Sequence, residues 1–166
     1  LDLQEAKISP LDRGFLFGDA IYEVIIAVNK KPFELGAHLT RLKKNISSLK
    51  YSLSDQFDLE ETILEVISRN KFLNQVIYVQ ISRGTDIVRD HIPSNDLIPT
   101  IFVSSHELKT EFSPSSGEKA ILLEDFRWRK SQIKATSLLA NVIYRSEAKH
   151  QEVFETILFE NGFITE

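Results

Sequence analysis

Lys134, in the stretch WRKSQIKA over 128–135, is the side chain best suited to covalent chemistry. It falls between a run of strand character and an apolar helix, a setting that could partly desolvate it. Desolvation disfavours an ammonium and leaves a free amine, a nucleophile towards a carbonyl. The plainer alternative is a surface lysine whose stem covers apolar neighbours. Glu166 is a carboxylate at the end of a hairpin strand; ordinarily solvated, it would hold a proton on a heteroaromatic ring nitrogen placed beside it. Arg41 is expected in the first turn or so of a helix, where the dipole mildly disfavours a cation. That small penalty hints at an anionic partner such as a phosphate. Arg89 and His91, in the loop motif RDH, could together grip a carboxylate, or simply pair with Asp86 or Asp90. Tyr22 alternates with Ile21 and Glu23 along a strand, and reads first as a buried phenol with a partner.

The elements that must position these residues follow from periodicity and turn chemistry. Gly14 and Gly18 bracket Phe15-Leu16-Phe17, which suggests a tight backbone excursion before a strand over 20–28. Asn29-Lys30-Lys31 turns the chain into a short strand over 32–35. Leu39, Leu42, Ile46 and Leu49 recur at helical spacing within 37–49. Asp58, with Glu61 three residues on, caps a second helix whose inner stripe is Leu59, Ile63, Val66 and Ile67. Strands over 76–82 and 98–104 flank the loop that carries Arg89 and His91. The polar stretch 106–118, with Pro114 and Gly117, reads as a linker. Beyond it come a strand over 120–128, a helix over 136–149 and a strand over 153–159. An Asn161-Gly162 turn and a return strand then lead to Glu166. The expected domains are 1–108, a linker 109–118, and 119–166.

Composition narrows the possibilities. The chain has 166 residues, 42% hydrophobic and 27% charged, the balance of a globular protein able to bury a core, and the order of its elements suggests an α+β first domain. A net charge of −4 argues against general nucleic-acid binding, which needs clustered Lys and Arg. With no cysteine, disulfides and Cys-ligated metal sites are excluded, and no closely spaced histidine pair suggests another metal centre. No apolar run reaches membrane-spanning length and no signal peptide is visible, so the cytoplasm is the default address. The sequence starts at Leu1 rather than Met and stops directly after a strand, which suggests a fragment.

Taken together, DRGFLFGDAIYEV (12–24), HLTRL (38–42), YVQISRGTDIVRDHIP (78–93), DFRWRKSQIKATSLLANVIYRSEA (125–148) and ETILFENGFITE (155–166) resemble the fold-type IV pyridoxal-phosphate enzymes. That family includes D-amino acid aminotransferases, branched-chain aminotransferases and 4-amino-4-deoxychorismate lyases. The resemblance is closest to the D-amino acid aminotransferases and implies a two-domain α+β fold, its second domain incomplete in this chain. It implies pyridoxal 5'-phosphate joined to Lys134 as a Schiff base, with Lys134 also moving the substrate proton. Glu166 would pair with the pyridine nitrogen and Arg41 with the phosphate. Tyr22, Arg89 and His91 match a substrate-carboxylate trap whose Arg-x-His loop is lent by the neighbouring subunit of a homodimer. The implied reaction is transamination between a D-amino acid and a 2-oxo acid. The alternatives are the pyruvate-releasing lyase and a branched-chain aminotransferase. Much of the phosphate cup lies beyond Glu166 in the family pattern, so residues 1–166 alone are expected to bind cofactor poorly.

Overall fold

Strand β1 (Ala20–Val28) shows why the first half of the chain folds as it does. From Ile21 onward its buried positions are Ile21, Glu23, Ile25 and Ala27, with Ala20 buried at its start, while Val24, Ile26 and Val28 on the alternate phase remain exposed. Period-two alternation of this kind covers one sheet face and opens the other. The computed structural model describes residues 3–50, 53, 57–109 and 117–166. The chain divides into two compact units: Leu1–Lys109 with Ile133–Ser137, and Thr110–Gln132 with Leu138–Glu166.

In the first unit, β1 lies between β2 (Lys31–Pro32) and β3 (Gln75–Ser82), and β4 (Thr100–Glu107) closes the order β2-β1-β3-β4. All three pairings are antiparallel, with Ile21 opposite Ile81, Glu23 opposite Val79 and Ile25 opposite Ile77. Helices α2 (Leu35–Ser48) and α3 (Leu59–Arg69) supply Leu39, Leu42, Ile46, Leu59, Ile63 and Ile67 to the same core. Each such side chain contributes about 1.5–3 kcal/mol when fully enclosed. The Asp58 carboxylate accepts from the Glu61 amide at 2.9 Å, the cap that the sequence predicts.

Several boundaries differ from the sequence reading, each for a local reason. The excursion at 14–18 is a single helical turn, α1 (Arg13–Phe17), capped by Asp12 and ended by Gly18 at φ +65°. Helix α2 begins at Leu35, because β2 is only two residues long and releases the chain early. Pairing with β3 carries β4 through His106 and Glu107, residues expected in the linker. Residues 110–116 of that linker lie outside the described residues. Residues 133–137, expected in the second domain, cluster with the first unit. The Tyr22 amide donates to the Lys134 carbonyl at 3.0 Å, the Thr136 amide donates to the Ala20 carbonyl at 3.0 Å, and Ile21 bridges Ala135. Backbone groups engaged with β1 are unavailable to a helix, so α4 (Leu139–His150) starts later than position 136.

The second unit is a parallel pair, β5 (Ala120–Glu124) and β6 (Glu155–Glu160), with α4 between them in sequence and β7 (Phe163–Ile164) antiparallel to β6. Asn161 at φ +50° and Gly162 at φ +81° make the tight turn from β6 to β7. Tyr144 anchors this unit: its hydroxyl donates to the Glu124 carbonyl at 2.6 Å and accepts from the Phe126 amide at 2.8 Å. Among the described residues no helix is long and apolar enough to cross a membrane.

Candidate active site

The backbone bonds that lay residues 133–137 along β1 also fix where the lysine goes. The Lys134 amine stands 4.2 Å from the centroid of the Tyr22 ring, and the residue is half-buried. No hydrogen bond or ion pair engages that amine among the described residues, so it is available to a ligand. Tyr22 lies on the sheet face that the helices leave open and stacks on Tyr78 at 5.8 Å. The Tyr78 hydroxyl donates to the Gln80 side-chain oxygen at 2.8 Å. Burial, with a smaller contribution from Tyr22, pushes the Tyr78 hydroxyl above its ordinary pKa. The Lys134 side chain thus rests over an aromatic face with no carboxylate partner among the described residues.

Arg41 is not in the first turn of its helix, as expected, but nearly two turns in, so the dipole argument does not apply to it. What fixes it is Glu23, whose side chain is 1% exposed on the helix-covered face of the sheet. The Arg41 fork donates twice, at 2.6 and 2.5 Å, and His38 Nδ1 lies 2.8 Å from the same carboxylate. Burial alone would raise the Glu23 pKa; hydrogen bonds and charge from Arg41 and His38 outweigh it and hold the carboxyl below its usual value. The bond to Glu23 likewise raises Arg41. Arg41 is 50% exposed, and its Nη1 has no hydrogen bond among the described residues. A guanidinium locked along one edge and open along another suits an oxyanion ligand.

Arg89 and His91 meet on a third aromatic ring. The Arg89 guanidinium carbon lies 5.0 Å, and the His91 ring centre 5.3 Å, from the centroid of Phe17. Their loop is closed by Asp86, which accepts from the Ile87 amide at 2.8 Å and from the Ser94 amide and hydroxyl at 3.0 and 2.7 Å. Those Ser94 bonds draw the Asp86 carboxyl down to about 2. Among the described residues, neither Arg89 nor His91 shares a hydrogen bond or ring contact with Lys134 or Tyr22.

In the second unit, Glu166 is 62% exposed and accepts from Arg127 through one carboxylate oxygen. Arg127 is held in turn by Asp125, at 3.0 and 2.8 Å, and Thr165 donates to the same carboxylate at 2.6 Å. Arg127, opposed by burial and assisted by Thr165, keeps the Asp125 carboxyl far below the carboxylate range. Glu166 also lines a cleft of about 630 Å³ with Asn141, Val142, Arg145, Thr156 and Leu158. That volume is within the range of small-molecule pockets.

The structure therefore joins Lys134 to Tyr22, and Arg89 to His91, and it gives Arg41 and Glu166 partners that the sequence reading missed: Glu23, His38, Asp125 and Arg127. A signal for Glu23 was present. It occupies the buried phase of β1 beside Ile21 and Ile25, where a carboxylate demands a cation. His38 and Arg41, at helical spacing i and i+3, share one face of α2 and answer that demand.

The site thus presents a half-buried lysine on an aromatic face and guanidinium groups with open donor edges among the described residues, on an α+β scaffold. The amino-transferase class IV family matches residues 20–166, and the chain belongs to it. Class IV aminotransferases depend on pyridoxal phosphate. The chain is 32% identical over 168 residues to the D-alanine aminotransferase of Bacillus licheniformis, covering 100% of this chain and 59% of that enzyme. Among solved structures, the branched-chain amino acid aminotransferase of Escherichia coli superposes with a TM-score of 0.85 at 20% identity, over 100% of this chain and 59% of the other. A Legionella pneumophila protein provisionally named 4-amino-4-deoxychorismate lyase gives 0.82 at 17% identity, over 99% and 61%. At those identities the likeness is one of fold, that of a fold-type IV transaminase. The chain spans about 59% of the length of the curated relative it matches.

Proposed function

We propose that this chain carries part of the active site of a pyridoxal-phosphate aminotransferase that moves an amino group from a D-amino acid to a 2-oxo acid. The observation that supports it most is the Lys134 amine, without a carboxylate partner among the described residues and resting 4.2 Å over Tyr22. The Arg-x-His pair on an ordered loop, and the likeness to D-alanine aminotransferases, favour this substrate class over the branched-chain and lyase alternatives.

When bound, the cofactor supplies an electron sink for the carbanion formed at the substrate Cα. The chain's own residues do the rest. Lys134 would hold the cofactor through its aldehyde carbon, with loss of water, and once freed by substrate its amine would be the tethered base that carries the proton from the substrate Cα to that same carbon. Glu166 would keep the proton on the pyridine nitrogen. Arg41 offers its open edge to the phosphate. Tyr22, Arg89 and His91 hold the substrate carboxylate, and so decide which Cα substituent faces the lysine. In this reading residues 1–108 form the small domain and 119–166 the first part of the cofactor domain. The enzyme acts as a homodimer in which the Arg89–His91 loop serves the neighbouring subunit.

Borohydride reduction of the protein with added cofactor tests the first step. The expected result is loss of the visible band with a mass tag on Lys134; a tag on another lysine would end the proposal. D-alanine with 2-oxoglutarate, assayed beside aminodeoxychorismate and L-leucine, tests the substrate. Turnover of either of the latter two in preference to D-alanine would replace this reading with the corresponding alternative.

A further inference from the structure

The Arg89–His91 pair is set in place by two residues of the short helix α1, Arg13 and Phe17. Phe17, at the end of the short helix α1, presents one ring to both side chains: the Arg89 guanidinium carbon at 5.0 Å and the His91 imidazole at 5.3 Å, tilted by 43°. The guanidinium carbon of Arg13 lies 4.8 Å from that same ring. Its fork then reaches the loop backbone, Nη1 donating to the Asp90 carbonyl at 2.7 Å and Nη2 to the His91 carbonyl at 2.8 Å. Arg13 is itself immobilised, 4% exposed, with Nε on Asp19 at 3.0 Å and Nη1 3.5 Å from Asp86. The loop is thus gripped at the two residues that follow Arg89, while Arg89 keeps its own hydrogen-bond donors free among the described residues.

We propose that Arg13 and Phe17 are positioning residues for the carboxylate trap: Arg13 fixes the loop backbone, and the Phe17 ring aligns the Arg89 and His91 side chains for one carboxylate. The inference rests on the reading of Arg89 and His91 given under Proposed function. A guanidinium grips a carboxylate well only when its plane is held, because both N–H groups must meet both oxygens together. A cation stacked on a ring keeps that plane without using any donor, which a hydrogen-bonded anchor could not do. Both positioning residues belong to the same chain as the loop, so the platform travels with the trap to whichever subunit's site it serves.

The test compares Phe17→Leu, Phe17→Tyr and Arg13→Lys in the holoenzyme, with Arg89→Ala as reference. Phe17→Leu is expected to raise KM for D-alanine roughly tenfold and to leave kcat within about twofold. The rate with a carboxylate-free amine such as 1-phenylethylamine, and the cofactor absorbance, should not change. Phe17→Tyr keeps the ring and should restore KM. Arg13→Lys keeps the charge, loses the double grip on the carbonyls, and should raise KM in the same carboxylate-selective way. Calorimetric titration with propanoate, which cannot react, should show the same loss of affinity. An unchanged D-alanine KM in Phe17→Leu, beside a raised one in Arg89→Ala, overturns the inference while sparing the trap. So does an equal loss with the carboxylate-free amine, which marks a merely structural role. An unchanged KM in Arg89→Ala removes the trap itself, and the inference with it.

Discussion

Arg13 and Arg41 are both anchored by carboxylates, and they end in opposite situations. Arg13 is enclosed and directs its whole fork at protein: Asp19, Asp86 and the carbonyls of Asp90 and His91. Arg41 is gripped along one edge by Glu23 and stays half exposed along the other. The first arginine builds a loop; the second keeps one edge open among the described residues. The difference lies in which donors remain, not in residue type or charge. Arg89 extends the comparison, since a ring face holds it and its donors have no hydrogen bond among the described residues.

The sharpest way to break the Arg13 side of this contrast is at Gly84, which roots the loop by accepting from the Arg13 amide at 2.9 Å. Gly84 has φ +109°, and a Cβ there would stand 2.0 Å from the Ile98 carbonyl oxygen. Gly84→Ala should therefore cost about 3 kcal/mol in urea unfolding and speed amide exchange across 86–94. A loss below about 1 kcal/mol would mean that this backbone can give way.

Next in size is Arg41→Ala, which strands the buried Glu23 with His38 alone. We expect about 2 kcal/mol of destabilisation, below the range for fully enclosed pairs because Arg41 is already partly solvated. Adding Glu23→Leu should recover most of it, since the uncompensated carboxylate goes with the change. A double variant no more stable than Arg41→Ala would show that the pair does more than neutralise Glu23.

The smallest effect is a loss on acidification, expected at both anchors. Asp86 is drawn down to about 2 by the Ser94 amide and hydroxyl. A folded value below the unfolded one means that its contribution is complete above about pH 4 and is lost as pH falls through about 2. Glu23 is displaced in the same direction, so its contribution also fades on acidification. Following the Ser94 amide by NMR should show it releasing as Asp86 takes its proton, and Asp86→Asn should abolish that titration. A Ser94 amide indifferent to pH between 4 and 2 would contradict the hydrogen bonds at this loop closure.

Much of the architecture was legible in the chain itself. The alternation in β1, the Asp58 cap and the Asn161-Gly162 turn are local signals, and each reappears at its place. Boundaries drifted where partners outside the segment decided them, as when β3 extended β4 and β1 captured residues 133–137. The candidate residues were legible as types in motifs, but their partners were not. Nothing local in RDH shows that Phe17 and Arg13, more than seventy positions earlier, hold it.

The sequence by itself determined the family, the helices and strands, and the identity of the amine at 134, because periodicity, capping and motif order are written in neighbouring residues. Only the tertiary structure decided which charges remain available. Glu23 occupies one edge of Arg41, Asp90 and His91 absorb Arg13, and among the described residues Lys134 is left with an aromatic face and no carboxylate. Hydrogen-bond donors are finite and directional, so whether one is free for a ligand depends on what the fold brings within about 3 Å of it.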